Sequence, residues 1–125
     1  MRFLKQYRGM ESKKDNKLAY EDVVAQTVHY MKENLELHVT LSQMAEYVGY
    51  SVPRFCEIFR SATGHSVLGY FNLLKIQSAC RMLDDTSMKI NQICCKVGIE
   101  DCYYFTRLFT QIMGMSPRKY RNREK

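Results

Sequence analysis

An internal repeat constrains this chain more than any other feature. The segment Leu41-Ser-Gln-Met-Ala-Glu-Tyr-Val-Gly-Tyr50 lies over Ile90-Asn-Gln-Ile-Cys-Cys-Lys-Val-Gly-Ile99 at an offset of 49. One residue is then inserted, and Phe55, Phe59, Gly64, Ser66 and Tyr70 match Phe105, Phe109, Gly114, Ser116 and Tyr120 at an offset of 50. Self-similarity at such a period marks one supersecondary unit used twice. The 125 residues fit one domain with a single core and leave no room for a catalytic domain beside a regulatory one.

The local patterns are helical throughout. Proline occurs only at Pro53 and Pro117, glycine is scarce, and apolar residues recur at helical spacing, which predicts an all-α fold of about seven helices. The first helix is expected from about Glu21 to Leu35, with Val24, Val28, Met31 and Leu35 as its inner stripe. Thr40 and Gln43 have the spacing of a capping box before a short helix, Leu41 to Val48, that Gly49 closes. Ser51 caps the next helix, which turns Phe55, Ile58 and Phe59 inward and stops at Gly64. Ser66 opens a long central helix reaching about Leu83, with Val67, Tyr70, Phe71, Leu74, Ala79, Met82 and Leu83 as apolar positions, and Asp84 to Ser87 forms a turn. The repeat then begins again.

Each copy meets the requirements of a helix-turn-helix: a short helix, a glycine turn, and a second helix crossing the first closely. Close crossing demands a small residue, and Ala45 and Cys94 stand at equivalent positions. In the second copy Phe105, Leu108, Phe109 and Ile112 form the stripe to be buried. The opposite face presents Cys102, Tyr103, Thr106, Arg107 and Thr110, which can exchange hydrogen bonds with base edges. A central helix of about 27 Å, at ~1.5 Å per residue, would separate two such helices by roughly the ~34 Å of one DNA turn.

The motifs Gly49-Tyr50-Ser51, Thr63-Gly64-His65-Ser66, Ala79 with Met82-Leu83, Ile93 through Val97-Gly98-Ile99, Phe105-Thr-Arg-Leu-Phe109, Gly114-Met-Ser-Pro117 and Tyr120-Arg121 resemble the DNA-binding region of the AraC/XylS family of bacterial transcription regulators. The resemblance runs from about Glu21 to Arg123. It implies two homeodomain-like helix-turn-helix subdomains, about 21–65 and 88–123, joined by a linker helix over 66–83, within an AraC-type domain spanning 18–125. It also implies a sequence-specific regulator that mostly activates, filling successive major-groove segments of double-stranded promoter DNA beside RNA polymerase. Carried over by position, base contacts fall to Val52, Pro53, Cys56 and Glu57 in the first reading helix and to Cys102, Tyr103, Thr106 and Arg107 in the second. Pro53, Cys56 and Glu57 depart from the polar or basic side chains common among relatives. Arg54 and Arg60 suit phosphates, and the helix openings at Ser66 and at Ser116-Pro117-Arg118 suit anions. Most relatives carry an effector-binding or dimerisation domain ahead of this region, so residues 1–17 are expected to be a basic arm or linker from such a domain, with a stand-alone activator of the family as the other possibility.

Charge plays a supporting part. The net +6 divides into +4 over residues 1–17, +4 over 116–125 and −2 between them, so bulk basicity alone argues little for nucleic acid. Arg118, Lys119 and Arg121 are the tail residues expected to attract phosphate. No apolar run approaches the ~18 residues of a membrane span, and the start lacks a secretory h-region. Five cysteines without Cys-x-x-Cys or a nearby His pair fit a reducing cytoplasm, and the resemblance implies a bacterial one with the protein at the nucleoid. Cys94 and Cys95 read as small core residues, Cys56 and Cys102 as exposed, and Tyr104 as partly packed. His29, His38 and His65 are far apart with no acid or nucleophile arranged around them, so neither an enzyme, a metal nor a cofactor is read. The rival class is a helical protein-interaction module that has lost DNA reading.

Overall fold

The computed structural model describes residues 19–123, so the expected arm over 1–17 lies outside the described residues. Seven helices follow in order: α1 (Tyr20–Glu33), α2 (Leu41–Val48), α3 (Val52–Thr63), α4 (Val67–Asp85), α5 (Ile90–Lys96), α6 (Cys102–Met113) and α7 (Pro117–Asn122). All the described elements are helical. Where length alone suggests one core, the residues divide into two compact units. The first takes the described residues up to Tyr30 together with Val39–Leu68, and the second takes Met31–His38 and the described residues from Gly69 onward. The long helix is therefore no free-standing linker: after its first two residues it belongs to the second unit.

The first unit buries Val23, Thr27, Val39, Met44, Ala45, Val48, Phe55, Ile58, Phe59 and Val67. Along α1, Met31 is buried as expected, in the second unit, and Leu35 lies past the helix end, half-buried; the first unit buries Val23 and Thr27, each one residue before the expected Val24 and Val28, which are only half-buried. The reason is Thr27. Its hydroxyl donates to the Val23 carbonyl at 2.6 Å, which satisfies the side chain inside the helix and lets its methyl take a core position. On the neighbouring surface Tyr30 and Tyr47 stack with centroids 4.6 Å apart.

The expected capping box opens α2. The Thr40 hydroxyl accepts from the Gln43 amide at 3.1 Å, and the Gln43 side chain accepts from the Thr40 amide at 2.8 Å. Gly49 ends the helix at φ +85°, a conformation that costs any residue with a Cβ. The Gly49 and Tyr50 amides then both donate to the Ala45 carbonyl, at 2.9 and 3.1 Å. Ser51 caps α3 through the Arg54 amide, and Gly64 stops it at φ +79°.

The second unit repeats this construction on its own core of Ile76, Ala79, Leu83, Ile93, Cys94, Val97, Ile99, Phe105 and Phe109. The Ile99 amide donates to the Cys94 carbonyl at 3.0 Å, the counterpart of Tyr50 and Ala45. The inserted residue is Glu100, and the next one, Asp101, replaces Ser51 as the cap, its carboxylate accepting from the Tyr103 and Tyr104 amides at 3.0 and 3.3 Å. Gly114 stops α6 at φ +82°, and Ser116 caps α7. Leu108 and Ile112 are half-buried flanks of the core rather than fully enclosed. Asp84 and Asp85, expected in a turn, form the last residues of α4.

Lys75 explains why residues 31–38 belong to the second unit. Only 5% exposed, it donates to the carbonyls of Leu35 at 2.6 Å, Leu37 at 3.2 Å and Val97 at 2.8 Å. Three acceptors match the three N–H groups of an ammonium, and together they tie the segment after α1 to the end of α5.

Candidate nucleic-acid interface

Each unit buries one face of its second helix and leaves the other outside. In the first unit Pro53, Arg54, Glu57 and Arg60 are exposed along α3, while Val52 and Cys56 are half-buried. Arg54 is engaged: its guanidinium meets the Glu57 carboxylate at 2.7 Å, donates to the Tyr20 hydroxyl, and lies 5.1 Å from the centre of the Tyr20 ring. That is a different use from the phosphate contact expected of it. Arg60 is exposed near the end of α3, and Ser66 is exposed just ahead of α4.

In the second unit Tyr103 is 79% exposed, Arg107 follows one turn later and is exposed, and Thr106 and Cys102 are half-buried beside them. Arg107 makes no hydrogen bond or ion pair among the described residues, so its five donors face outward. Tyr104, expected to be partly packed, is 44% exposed. The exposed Thr110 returns its hydroxyl to the Thr106 carbonyl at 2.7 Å, which leaves it an acceptor rather than a donor.

The C-terminal basic residues divide by role. Arg118 and Lys119 are exposed on α7. Arg121 instead reaches the carbonyls of Leu83 at 3.2 Å, Met88 at 2.6 Å, Met82 at 3.4 Å and Thr86 at 3.0 Å. It thereby closes the C-terminal end of α4, where orphan carbonyls need partners, and is committed to the fold. Ser116 spends its hydroxyl oxygen on the Lys119 amide at 3.1 Å. The ion pair of Arg123 with Asp84 at 3.1 Å adds a second tie from the chain end to α4.

Among the cysteines, Cys94 is fully buried and Cys95 is exposed, so the adjacent pair splits between core and surface. Burial, and then the neighbouring Cys102 thiol, pushes the Cys94 thiol up to about 12, which keeps it a protonated, inert core group. Cys56 and Cys102 are half-buried rather than open. Among the described residues no group of three or more His, Cys, Asp or Glu could hold a metal, and no helix is long and apolar enough to cross a membrane.

Residues 44–123 match a family model described as a helix-turn-helix domain. The MmsAB operon regulatory protein of Pseudomonas aeruginosa is 36% identical over 94 residues, covering 75% of this chain and 31% of that protein. The HTH-type transcriptional activator RhaR of Yersinia pseudotuberculosis is 28% identical over 112 residues, covering 79% of this chain and 39% of that protein. This chain thus spans about a third of the length of these two relatives. Among solved structures, a transcriptional regulator from Chromobacterium violaceum, described as an AraC-type DNA-binding domain-containing protein, superposes with a TM-score of 0.78 at 23% identity, covering 84% of this chain and 96% of that one.

Proposed function

Since the chain belongs to the AraC/XylS family of helix-turn-helix transcription regulators, we propose that it binds a specific promoter site and acts there as an activator, using α3 and α6 as its two reading helices. The observation that carries this reading is the duplicated, capped helix-turn-helix with the outer face of each second helix exposed. Arg107 and Tyr103 supply the clearest base contacts on α6, with Thr106 and Cys102 at the edge, and Val52, Pro53, Cys56 and Glu57 form the corresponding face of α3. Arg60, Arg118 and Lys119 are the cations suited to phosphates, and Ser66, at the opening of α4, is a further candidate. Such contacts set register, whereas base edges set sequence.

RNA polymerase as partner, an effector-binding or dimerisation domain in the intact regulator, and a cytoplasmic, nucleoid-bound location belong to the same proposal. They are supported by the family and by the greater length of the relatives. No catalytic step is assigned, in keeping with a family of regulators.

Fluorescence-anisotropy titration against duplex DNA at two salt concentrations tests the proposal. Affinity is expected to fall steeply with salt, as counterion release requires, and absence of binding at low salt would leave the rival interaction module standing. Arg107→Ala is expected to cost about 1–3 kcal/mol on the specific site, the worth of a good bidentate contact. A loss confined to a few tenths would remove Arg107 from base reading.

A further inference from the structure

Glu57 poses a problem for any helix that approaches DNA, because an exposed carboxylate is repelled by phosphates. The first unit answers it with a chain of contacts that begins outside the helix-turn-helix. Tyr20, in the first turn of α1, packs edge-on against Tyr50 with centroids 6.3 Å apart. Its hydroxyl and ring together hold the Arg54 guanidinium, and Arg54 holds Glu57 Oε1 at 2.7 Å.

An exposed ion pair alone is a weak restraint, but a guanidinium lying on an aromatic ring and bonded to its hydroxyl has a second anchor. Arg54 is thus kept beside Glu57 rather than free to swing to the DNA backbone. The pair is neutral overall. Glu57 Oε2 has no partner among the described residues and sits on the exposed face of α3.

We propose that Glu57, positioned by Arg54 and Tyr20, makes α3 a reader of cytosine at one base pair of its half of the site. This rests on the DNA-reading function above and adds the identity of a base. The major-groove code supplies the reason. A carboxylate only accepts hydrogen bonds, so guanine with O6 and N7 and thymine with O4 repel it. Adenine offers its N6 amino group beside the N7 acceptor. Cytosine alone presents the N4 amino donor with no acceptor on its own edge. Tyr20 is then a positioning residue: it touches no base and acts through Arg54.

The test is selection of binding sites from a random duplex pool by the 125-residue chain, followed by competition titrations, for wild type, Glu57→Gln and Tyr20→Phe. Wild type is expected to enrich cytosine at one position, and replacing that cytosine should weaken binding about tenfold. Glu57→Gln should enrich adenine at the same position, since a glutamine amide pairs with N6 and N7, with every other position unchanged. Tyr20→Phe should cut the cytosine preference severalfold while leaving preferences at all other positions and the melting temperature as in wild type. A uniform loss across positions would mean that Tyr20 is only structural and would overturn its role. Enrichment of another base by wild type, or the same base with Glu57→Gln, overturns the inference and leaves DNA reading intact. If wild type enriches no sequence at all, the underlying function fails instead.

Discussion

Lys75 is a buried charged residue of the second unit, and nothing local in the sequence marks it. Its three carbonyl partners lie 40, 38 and 22 positions away, so no spacing rule could pair them. In the run Leu74-Lys75-Ile76 it looks like the solvent residue of a helix. Burial pulls its pKa down to about 8 from 10.5, which still leaves an ammonium at neutral pH to satisfy three acceptors. Gly98 is fitted to the same spot, since a Cβ there would come within 2.8 Å of the Lys75 Nζ and 2.9 Å of the Glu36 carbonyl. Lys75→Met is expected to destabilise the protein by about 2–3 kcal/mol in chemical denaturation at pH 7, because the buried Val97 carbonyl and the part-buried Leu35 and Leu37 carbonyls lose their donor. The pH dependence has a definite sign. Between about 8 and 10.5 the unfolded chain keeps a proton that the folded chain has released, so wild-type stability rises with pH across that window. The methionine variant lacks this contribution, and the wild-type advantage should widen there. A flat or shrinking difference would mean that the folded-state pKa is not depressed.

Helix ends and turns were the most legible elements, for a physical reason: a cap is made by residues three or four apart. Thr40 with Gln43, Gly49, Ser51, Gly64, Gly114 and Ser116 could be placed from spacing, and each occupies its expected position. The first half of the α1 stripe falls one residue earlier than expected because Thr27 counts as polar in a periodicity reading, whereas its hydroxyl is satisfied by the helix itself; Met31 stands where it is expected. On the candidate interface the exposed faces of α3 and α6 followed from the buried ones. The Tyr20–Arg54 contact and the Arg121 carbonyl cluster did not, being 34 and 33–39 positions apart. The repeat also offers a matched comparison. Thr40 uses both halves of its box, while at the equivalent position only the Lys89 backbone amide takes part, donating to the Gln92 side chain at 2.9 Å. Thr40→Ala should therefore cost about 1 kcal/mol, and Lys89→Ala should stay within about 0.5 kcal/mol of wild type. Equal losses in thermal or urea unfolding would show that the hydroxyl of Thr40 contributes nothing.

For the molecule as a whole, the net +6 is a poor guide to how DNA would be held, because basic residues of like sequence context serve opposite ends. Arg118, Lys119 and Arg121 form one basic run, yet Arg118 and Lys119 are exposed while Arg121 is enclosed by four carbonyls of the α4 end and the turn after it. Long-range attraction to phosphates depends on charge that counterions can reach and DNA can displace. A guanidinium fixed among carbonyls still adds to the field, but withdrawing it dismantles the packing before it changes the count of phosphate contacts. The two kinds of residue therefore separate in experiment. Lys119→Ala should reduce the slope of log affinity against log salt by about 1 and weaken specific and random duplexes alike, with the melting temperature unchanged. Arg121→Ala should lower the melting temperature by several degrees, on the order of 4–8 °C per kcal/mol for a domain of this size, and leave the salt slope of the protein that remains folded as in wild type. The opposite pattern, a slope change with Arg121→Ala and none with Lys119→Ala, would place the phosphate contact at Arg121 and make its carbonyl bonds dispensable.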